Sequence, residues 1–140
     1  ENHQLMVKIR QEKVDKIADY IPEQKLDNGP EKGDLLILGW GSTYGVIKTT
    51  VEQLLSEGYS VAHAHLRYVR PFPKNLGEII SKYKTVIIPE INNGQLVKII
   101  RDKYLVDAKP YNKVMGVPIT KTELVEFVKQ VVTKELVTEK

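Results

Sequence analysis

The chain has 140 residues, a net charge of +3 and 41% hydrophobic residues, which suits one domain with a core of ordinary size. It contains no cysteine, which excludes disulfides, thiolate metal ligands and cysteine nucleophiles within the chain and is typical of the cytoplasm. The lysines are scattered, and no signal peptide or apolar run near the about 18 residues of a membrane span occurs. We therefore expect a cytoplasmic protein with neither a nucleic-acid nor a membrane partner.

The first helical pattern spans residues 4–21, where apolar residues recur until Pro22 ends the helix. The charged stretch 22–33, rich in proline and glycine, indicates a linker. The chain begins at Glu1 rather than Met, so we expect a domain taken from a longer protein. In this division residues 1–21 lead in from a preceding domain, 22–33 connect, and 34–140 form an α/β domain.

From residue 34 onwards, short apolar runs alternate with helical patterns. We predict strands at 34–39, 60–67, 85–90 and, from a weaker pattern, 111–116; helices are predicted at 42–58, 74–83, 94–105 and from Thr120 onwards. This alternation predicts a three-layer αβα sandwich around a mostly parallel sheet of four to five strands. The first and third strands are the most uniformly apolar, which places them at the centre and gives the order 2-1-3-4.

Polar residues and glycines at the helix ends predict specific caps. A hydroxyl of Ser42 or Thr43 can cap the helix after the first strand, and Gly58 can end it. Asn75 with Glu78, and Thr120 with Glu123, are predicted to form capping boxes.

The strand order puts a topological switch between the first and third strands, where open α/β sheets bind ligands. The first loop there, 39–45, has the glycine spacing G-x-G-x-x-x-G, one residue longer than the dinucleotide fingerprint, and no acidic residue ends the second strand. A Walker A lysine is absent as well, so nucleotide binding is disfavoured. The backbone amides of Gly41, Ser42 and Thr43 remain able to bind an anion; the alternative is a tight turn with a hydroxyl cap.

The second switch loop, 89–95, contributes Glu90, Asn92 and Asn93. We expect the Glu90 carboxylate to hydrogen-bond backbone or hydroxyl groups of the first loop, and we favour that role over catalysis. A plain turn is the alternative here. A hydrolase or isomerase that uses Glu90 with a histidine is a third hypothesis, for which no substrate is indicated.

Two further groups of residues could carry chemistry. His63 and His65 alternate onto one face of the second strand, but the chain offers no third metal ligand nearby, so we predict no metal site and packed, hydrogen-bonded imidazoles.

Pro71 and Pro73 stiffen the segment 67–74. If this segment displays its side chains it is an interface anchor, carried by Tyr68, Arg70 and Phe72; otherwise it is a stiff loop over the core.

Four stretches together resemble a known family: "LGWGSTYG", "HAHLRYVRPFPKN", "VIIPEINNGQL" and "YLVDAKPYNKVMGVPI". They are similar to the C-terminal, transketolase C-terminal-like domain of the α subunit of 2-oxoacid:ferredoxin oxidoreductases, most of all the 2-oxoglutarate type. The segment "NHQLMVKIRQEKVDKIADYIP" resembles what precedes that domain. Asn93 departs from the pattern, since an apolar residue is expected there.

The resemblance implies the chemistry of a complete enzyme, which oxidatively decarboxylates a 2-oxoacid to an acyl-coenzyme A and passes electrons to ferredoxin. Thiamine diphosphate, Mg²⁺ and iron–sulfur clusters would be held by the preceding α-subunit domain and the β subunit, which would be the partners of this chain. The resemblance carries no catalytic residue onto this sequence, so we expect an inactive fragment that supports assembly. The alternative is a stand-alone module that binds an anionic metabolite or flavin between the loops 39–45 and 89–95.

Overall fold

The computed structural model describes residues 2–91, 94–113 and 117–138. The elements, in chain order, are α1 (Asn2–Ala18), β1 (Gly33–Trp40), a 3-10 turn (Gly41–Thr43), α2 (Tyr44–Ser56), β2 (Val61–Leu66), α3 (Leu76–Ser81), β3 (Tyr83–Glu90), α4 (Gln95–Tyr104), β4 (Lys109–Asn112) and α5 (Lys121–Thr138). Within these residues, no helix is both long enough and apolar enough to cross a bilayer.

The four strands form one parallel sheet in the order β2-β1-β3-β4. Ile37 of β1 lies between His63 of β2 and Ile87 of β3, so the central strands are bonded on both edges. The predicted fold class and strand order are confirmed. The last strand lies earlier than its pattern suggested, at Lys109–Asn112, and residues 114–116 of the predicted strand are outside the described residues.

Alternate residues of the strands enter two separate cores. Leu36 and Leu38 of β1 pack on the side of α3 and α4, whereas Leu35 and Ile37 pack on the side of α2 and α5. A strand covered on both faces is apolar at nearly every position, because each face needs its own hydrophobic side chains. This is why β1 is a continuous apolar run and why the helices form two outer layers.

Residues 22–30 are attached to the free edge of β2. The backbone of Asn28 pairs with that of His63 in an antiparallel bridge, and the amide of Asp27 donates to the His63 carbonyl at 2.7 Å. Further along, the His65 amide donates to Asp27 Oδ2 at 2.8 Å, and Gln24 Nε2 donates to the His65 carbonyl at 3.0 Å. The proposed division at 22–33 stays a prediction, but this stretch covers a sheet edge that would otherwise be open to pairing.

Two of the predicted caps are confirmed and two are wrong. Thr120 and Glu123 form the reciprocal capping box at the start of α5, and Gly58, with φ +90°, ends α2 in a Schellman pattern.

Thr43 does not cap α2, because its hydroxyl donates to the Trp40 carbonyl at 2.9 Å. Asn75 does not cap α3, because its amide group exchanges two hydrogen bonds with the backbone of Gln24.

We expect the Gly29→Ala substitution to lower the free energy of unfolding by about 2–4 kcal/mol, because the new Cβ would clash with backbone and φ would be strained. Gly29 has φ +91°, and a Cβ there would lie 2.3 Å from the Val61 carbonyl oxygen. Gly58→Ala is the matched control, since φ is +90° but the surrounding space is open. That control should lose only about 1 kcal/mol. Equal losses in urea unfolding would contradict the tight packing of residues 22–30 on β2.

Candidate functional site

The switch point between β1 and β3 forms a small crevice at the carboxyl ends of the strands. The cavity has a volume of about 230 Å³ and is lined by Trp40, Gly41, Ser42, Thr43, Glu90 and Ile91. The structure therefore brings together four of the residues predicted for this site: Gly41, Ser42, Thr43 and Glu90. Asn92 and Asn93 lie outside the described residues.

Glu90 is the buried charge of the crevice, with a relative exposure of 1%. The amide of Leu96 donates to its Oε1 at 2.8 Å and the amide of Val97 donates to its Oε2 at 3.2 Å. These are the second and third amides of α4, which normally need a capping side chain. The residue at the cap position is Gly94, which has no side chain, so Glu90 performs this role from the end of the preceding strand.

Trp40 also binds Glu90 and was not singled out from the sequence. Its Nε1 donates to Glu90 Oε1 at 3.3 Å, which joins the ends of β1 and β3 across the crevice. The predicted contact between Glu90 and the first loop therefore exists, but it uses an indole and not a backbone or hydroxyl group. The signal in the sequence was a glycine at a helix start with a carboxylate four residues before it.

The first switch loop turns sharply at Gly41, whose φ of +63° is in the left-handed region. Ser42 is exposed and Thr43 is buried. No side chain of the described residues caps the 3-10 turn or α2. Anion binding by the amides of Gly41 to Thr43 stays a prediction, and the nearby Glu90 carboxylate opposes it electrostatically.

His63 and His65 lie side by side under the start of α2, as their alternation predicted. Their ring centroids are 5.6 Å apart, and the Tyr44 ring covers both at 5.5 and 5.0 Å. His65 Nε2 is 3.1 Å from the Gly41 carbonyl oxygen, but neither ring nitrogen of the fully buried His63 has a hydrogen-bond partner among the described residues. The expectation of hydrogen-bonded imidazoles is therefore right for His65 and wrong for His63.

Burial sets the protonation of these two imidazoles. It lowers the pKa of His63 from 6.5 to about 4, although the nearby Asp27 charge works in the opposite direction. Burial also lowers the pKa of His65, against the hydrogen bond with Gly41 and the charge of Asp27. Both rings are therefore neutral at pH 7. Within the described residues, no group of three or more histidine, aspartate or glutamate side chains could hold a metal ion.

The segment 67–74 displays only part of what was predicted. Tyr68 is 46% exposed and Arg70 is exposed, so both are available for an interface. Phe72 is only 5% exposed, with its ring centroid 6.1 Å from that of Tyr104, so at this residue the segment is a loop over the core and not a displayed anchor. The Phe72 ring belongs to the core on the side of α3 and α4, where apolar burial stabilises it.

We expect the Glu90→Gln substitution to cost about 2 kcal/mol of unfolding free energy. A glutamine would point an N–H₂ group at amides or an indole that also donate, so at least one buried donor loses its acceptor. Glu126→Gln makes the same change at an exposed site of α5 and should change stability by less than about 0.5 kcal/mol. Equal stability of both variants in urea unfolding would contradict the capping role.

We expect the stability of the protein to fall as the pH drops from 6.5 towards 4, because the unfolded chain takes up a proton at His63 that the folded chain does not. Each unit of difference between the unfolded and folded pKa values of His63 lowers the free energy of unfolding in acid by about 1.4 kcal/mol. The shift from 6.5 to about 4 therefore lowers it by about 3 kcal/mol in total. This effect is absent above pH 6.5 and complete below the folded pKa of about 4. A His63→Leu variant should show a flatter dependence in urea unfolding.

Direct titration of His63 by NMR provides a second measurement that does not depend on the variant. A pKa of the imidazole near its ordinary 6.5 would contradict the burial argument. Parallel stability curves for the wild type and the variant would contradict it as well.

Comparison with known proteins places these features in a family. Residues 33–132 match the pyruvate:ferredoxin oxidoreductase core domain II. The chain is 44% identical over 128 residues to the 2-oxoglutarate oxidoreductase subunit KorA of Mycobacterium tuberculosis; the match covers 91% of this chain and 19% of that protein. The chain thus spans about a fifth of the length of this relative.

Two solved structures are similar in fold. One is the 2-oxoglutarate:ferredoxin oxidoreductase from Magnetococcus marinus with 2-oxoglutarate, coenzyme A and succinyl-CoA bound (TM-score 0.81, 30% identity, 92% of this chain and 23% of that chain). The other is the alpha chain of a probable 2-oxoacid ferredoxin oxidoreductase from Thermoplasma acidophilum (TM-score 0.54, 27% identity, 79% of this chain and 97% of that chain). The resemblance expected from the sequence motifs is confirmed: the chain belongs to the pyruvate:ferredoxin oxidoreductase core domain II family.

Proposed function

We propose that the chain is a non-catalytic domain of the α subunit of a 2-oxoacid:ferredoxin oxidoreductase, with 2-oxoglutarate as the substrate. The complete enzyme oxidatively decarboxylates the 2-oxoacid, transfers the acyl group to coenzyme A and reduces ferredoxin. Family membership and the names of the similar proteins support this assignment. We place the enzyme in the cytoplasm.

The observation that best supports a non-catalytic role is the hydrogen bonding of the Glu90 carboxylate. Both oxygens of this carboxylate accept hydrogen bonds from structural donors, at Trp40, Leu96 and Val97. Among the described residues, the other side chains that line the crevice are those of Trp40, Ser42, Thr43 and Ile91, none of which is an acid or a base. The described part of the crevice therefore offers no free acid, base or strong nucleophile with which to start a reaction.

The crevice also does not fit the cofactors of the complete enzyme. Its volume of about 230 Å³ is below the about 300–1,000 Å³ of ordinary ligand pockets. The Glu90 carboxylate would repel a diphosphate, and the chain has no cysteine to ligate an iron–sulfur cluster. We infer that thiamine diphosphate, Mg²⁺ and the clusters are held by the preceding α-subunit domain and the β subunit.

The proposed role of this domain is to hold the assembly together. The candidate contacts with neighbouring domains are the two switch loops, including Asn92 and Asn93, and the exposed side chains of Tyr68 and Arg70. After Arg70, the buried Phe72 anchors the segment 67–74 to the core on the side of α3 and α4. Tyrosine and arginine are the residues that most often dominate the energy of such interfaces.

We expect the 140-residue chain to bind no thiamine diphosphate in the presence of Mg²⁺, measured by isothermal titration calorimetry, and to decarboxylate no 2-oxoglutarate. The reason is the small volume of the switch-point crevice and the negative charge of Glu90 beside it. The complete enzyme, assembled with its β subunit, is the positive control and should reduce ferredoxin only when both 2-oxoglutarate and coenzyme A are present.

Two results would overturn this proposal. Micromolar binding of thiamine diphosphate by the 140-residue chain would place the cofactor here. A rise in melting temperature with a flavin or a small anionic metabolite, together with an assembled enzyme that lacks 2-oxoacid-dependent ferredoxin reduction, would indicate a separate ligand-binding module.

A further inference from the structure

A groove between α1, α4 and the segment 69–74 is larger than the switch-point crevice. Its cavity has a volume of about 730 Å³. α1 supplies Val14 and Lys16, α4 supplies Ile99 and Lys103, and the segment supplies Val69 and Arg70. We call this surface the basic groove.

The basic groove concentrates positive charge. Among the described residues, its lining holds four cations, Lys16, Arg70, Lys74 and Lys103, and one acid, Asp19, which gives these side chains a net charge of +3. The whole chain also has a net charge of +3, so the charges elsewhere balance one another. A field of one sign confined to one concave surface attracts a partner of the opposite sign.

The cations of the groove are not all neutralised within the domain. Lys74 forms an ion pair with Asp19, and the Lys103 ammonium lies 5.3 Å from the centre of the Phe72 ring. Within the part of the chain that the structure describes, the side chains of Arg70 and Lys16 have no such partner. Arg70 is also exposed at the rim, so its planar guanidinium is free to bind a carboxylate through two hydrogen bonds.

Apolar side chains lie beside these charges. Val69 is 37% exposed and Ile99 is 52% exposed, and both line the groove. Apolar surface ringed by polar and charged groups is the usual composition of a protein interface. A small anion bound to Arg70 would leave Val69 and Ile99 in water, whereas a polypeptide with apolar side chains would cover them.

We propose that the basic groove binds an acidic segment of polypeptide with at least one apolar side chain, supplied by the rest of the assembled oxidoreductase. Arg70 pairs with a carboxylate of that segment, and Val69 and Ile99 contact its apolar side chain. The proposal rests on the proposed function, because the complete enzyme provides the acidic segment. It adds to that function a specific contact, between the basic groove and this segment.

Site-specific photo-cross-linking in the complete, purified enzyme tests this proposal. Val69→benzoylphenylalanine places the reactive group in the groove, and Leu105→benzoylphenylalanine, at a residue that is 88% exposed and outside the groove, is the matched control. After irradiation, mass spectrometry identifies the cross-linked peptide. We expect the probe at position 69, and not that at 105, to capture one segment outside these 140 residues that carries a net negative charge.

Charge reversal provides the second measurement. Arg70→Glu in the Val69 probe background should lower the cross-linking yield about tenfold, because two like charges would then meet. Arg67→Glu, at an exposed arginine that does not line the groove, should leave the yield unchanged. The yield should also fall as the ionic strength rises.

Several outcomes overturn the proposal: no cross-link, cross-links only within the 140 residues, capture of a neutral or basic segment, or an unchanged yield in Arg70→Glu. Ferredoxin reduction is assayed on the same preparation, so the two proposals are tested separately. An active enzyme without an acidic cross-link contradicts the groove alone, and an acidic cross-link in an assembly without 2-oxoacid-dependent activity contradicts the proposed function alone.

Discussion

The buried carboxylate of Glu90 is the interaction on which the functional end of this domain depends. A charge that is 1% exposed is costly unless it is matched by hydrogen bonds and opposite partial charge. The start of α4 supplies both, through two amides and the positive end of the helix dipole. The Trp40 indole adds a third donor from the neighbouring strand. One side chain thereby sets the positions of β1, β3 and α4 relative to one another.

Among the described residues, this arrangement leaves the crevice at the expected ligand position with one carboxylate, and both of its oxygens already accept hydrogen bonds. Open α/β sheets usually bind ligands at the switch point, where loops diverge and helix starts are available. Here the start of α4 is already capped by Glu90, and the 3-10 turn Gly41–Thr43 faces that same carboxylate across a cavity of about 230 Å³. At the switch point of this sheet, the described side chains therefore connect β1, β3 and α4 to one another.

At the edge of β2, the backbone groups are hydrogen-bonded, whereas one buried side chain is not. Residues 24–28 satisfy the backbone groups of His63 and His65 at the sheet edge. The His63 ring lies beside Tyr44 of α2, has no hydrogen-bond partner within the described residues, and is held neutral by its burial. A protected edge is thus obtained together with a buried polar ring, which is destabilising in acid.

The sequence by itself determined the class of the fold, the strand order, the Thr120–Glu123 box and the Gly58 cap, because apolar periodicity and caps involve residues close together in the chain. It also carried the motifs of the family. Only the tertiary structure decided that Asn75 binds Gln24, that Phe72 is buried and that Glu90 caps α4. A polar side chain takes the donor or acceptor nearest in space, and for Asn75 that group lies 51 residues away, a distance that local patterns do not report.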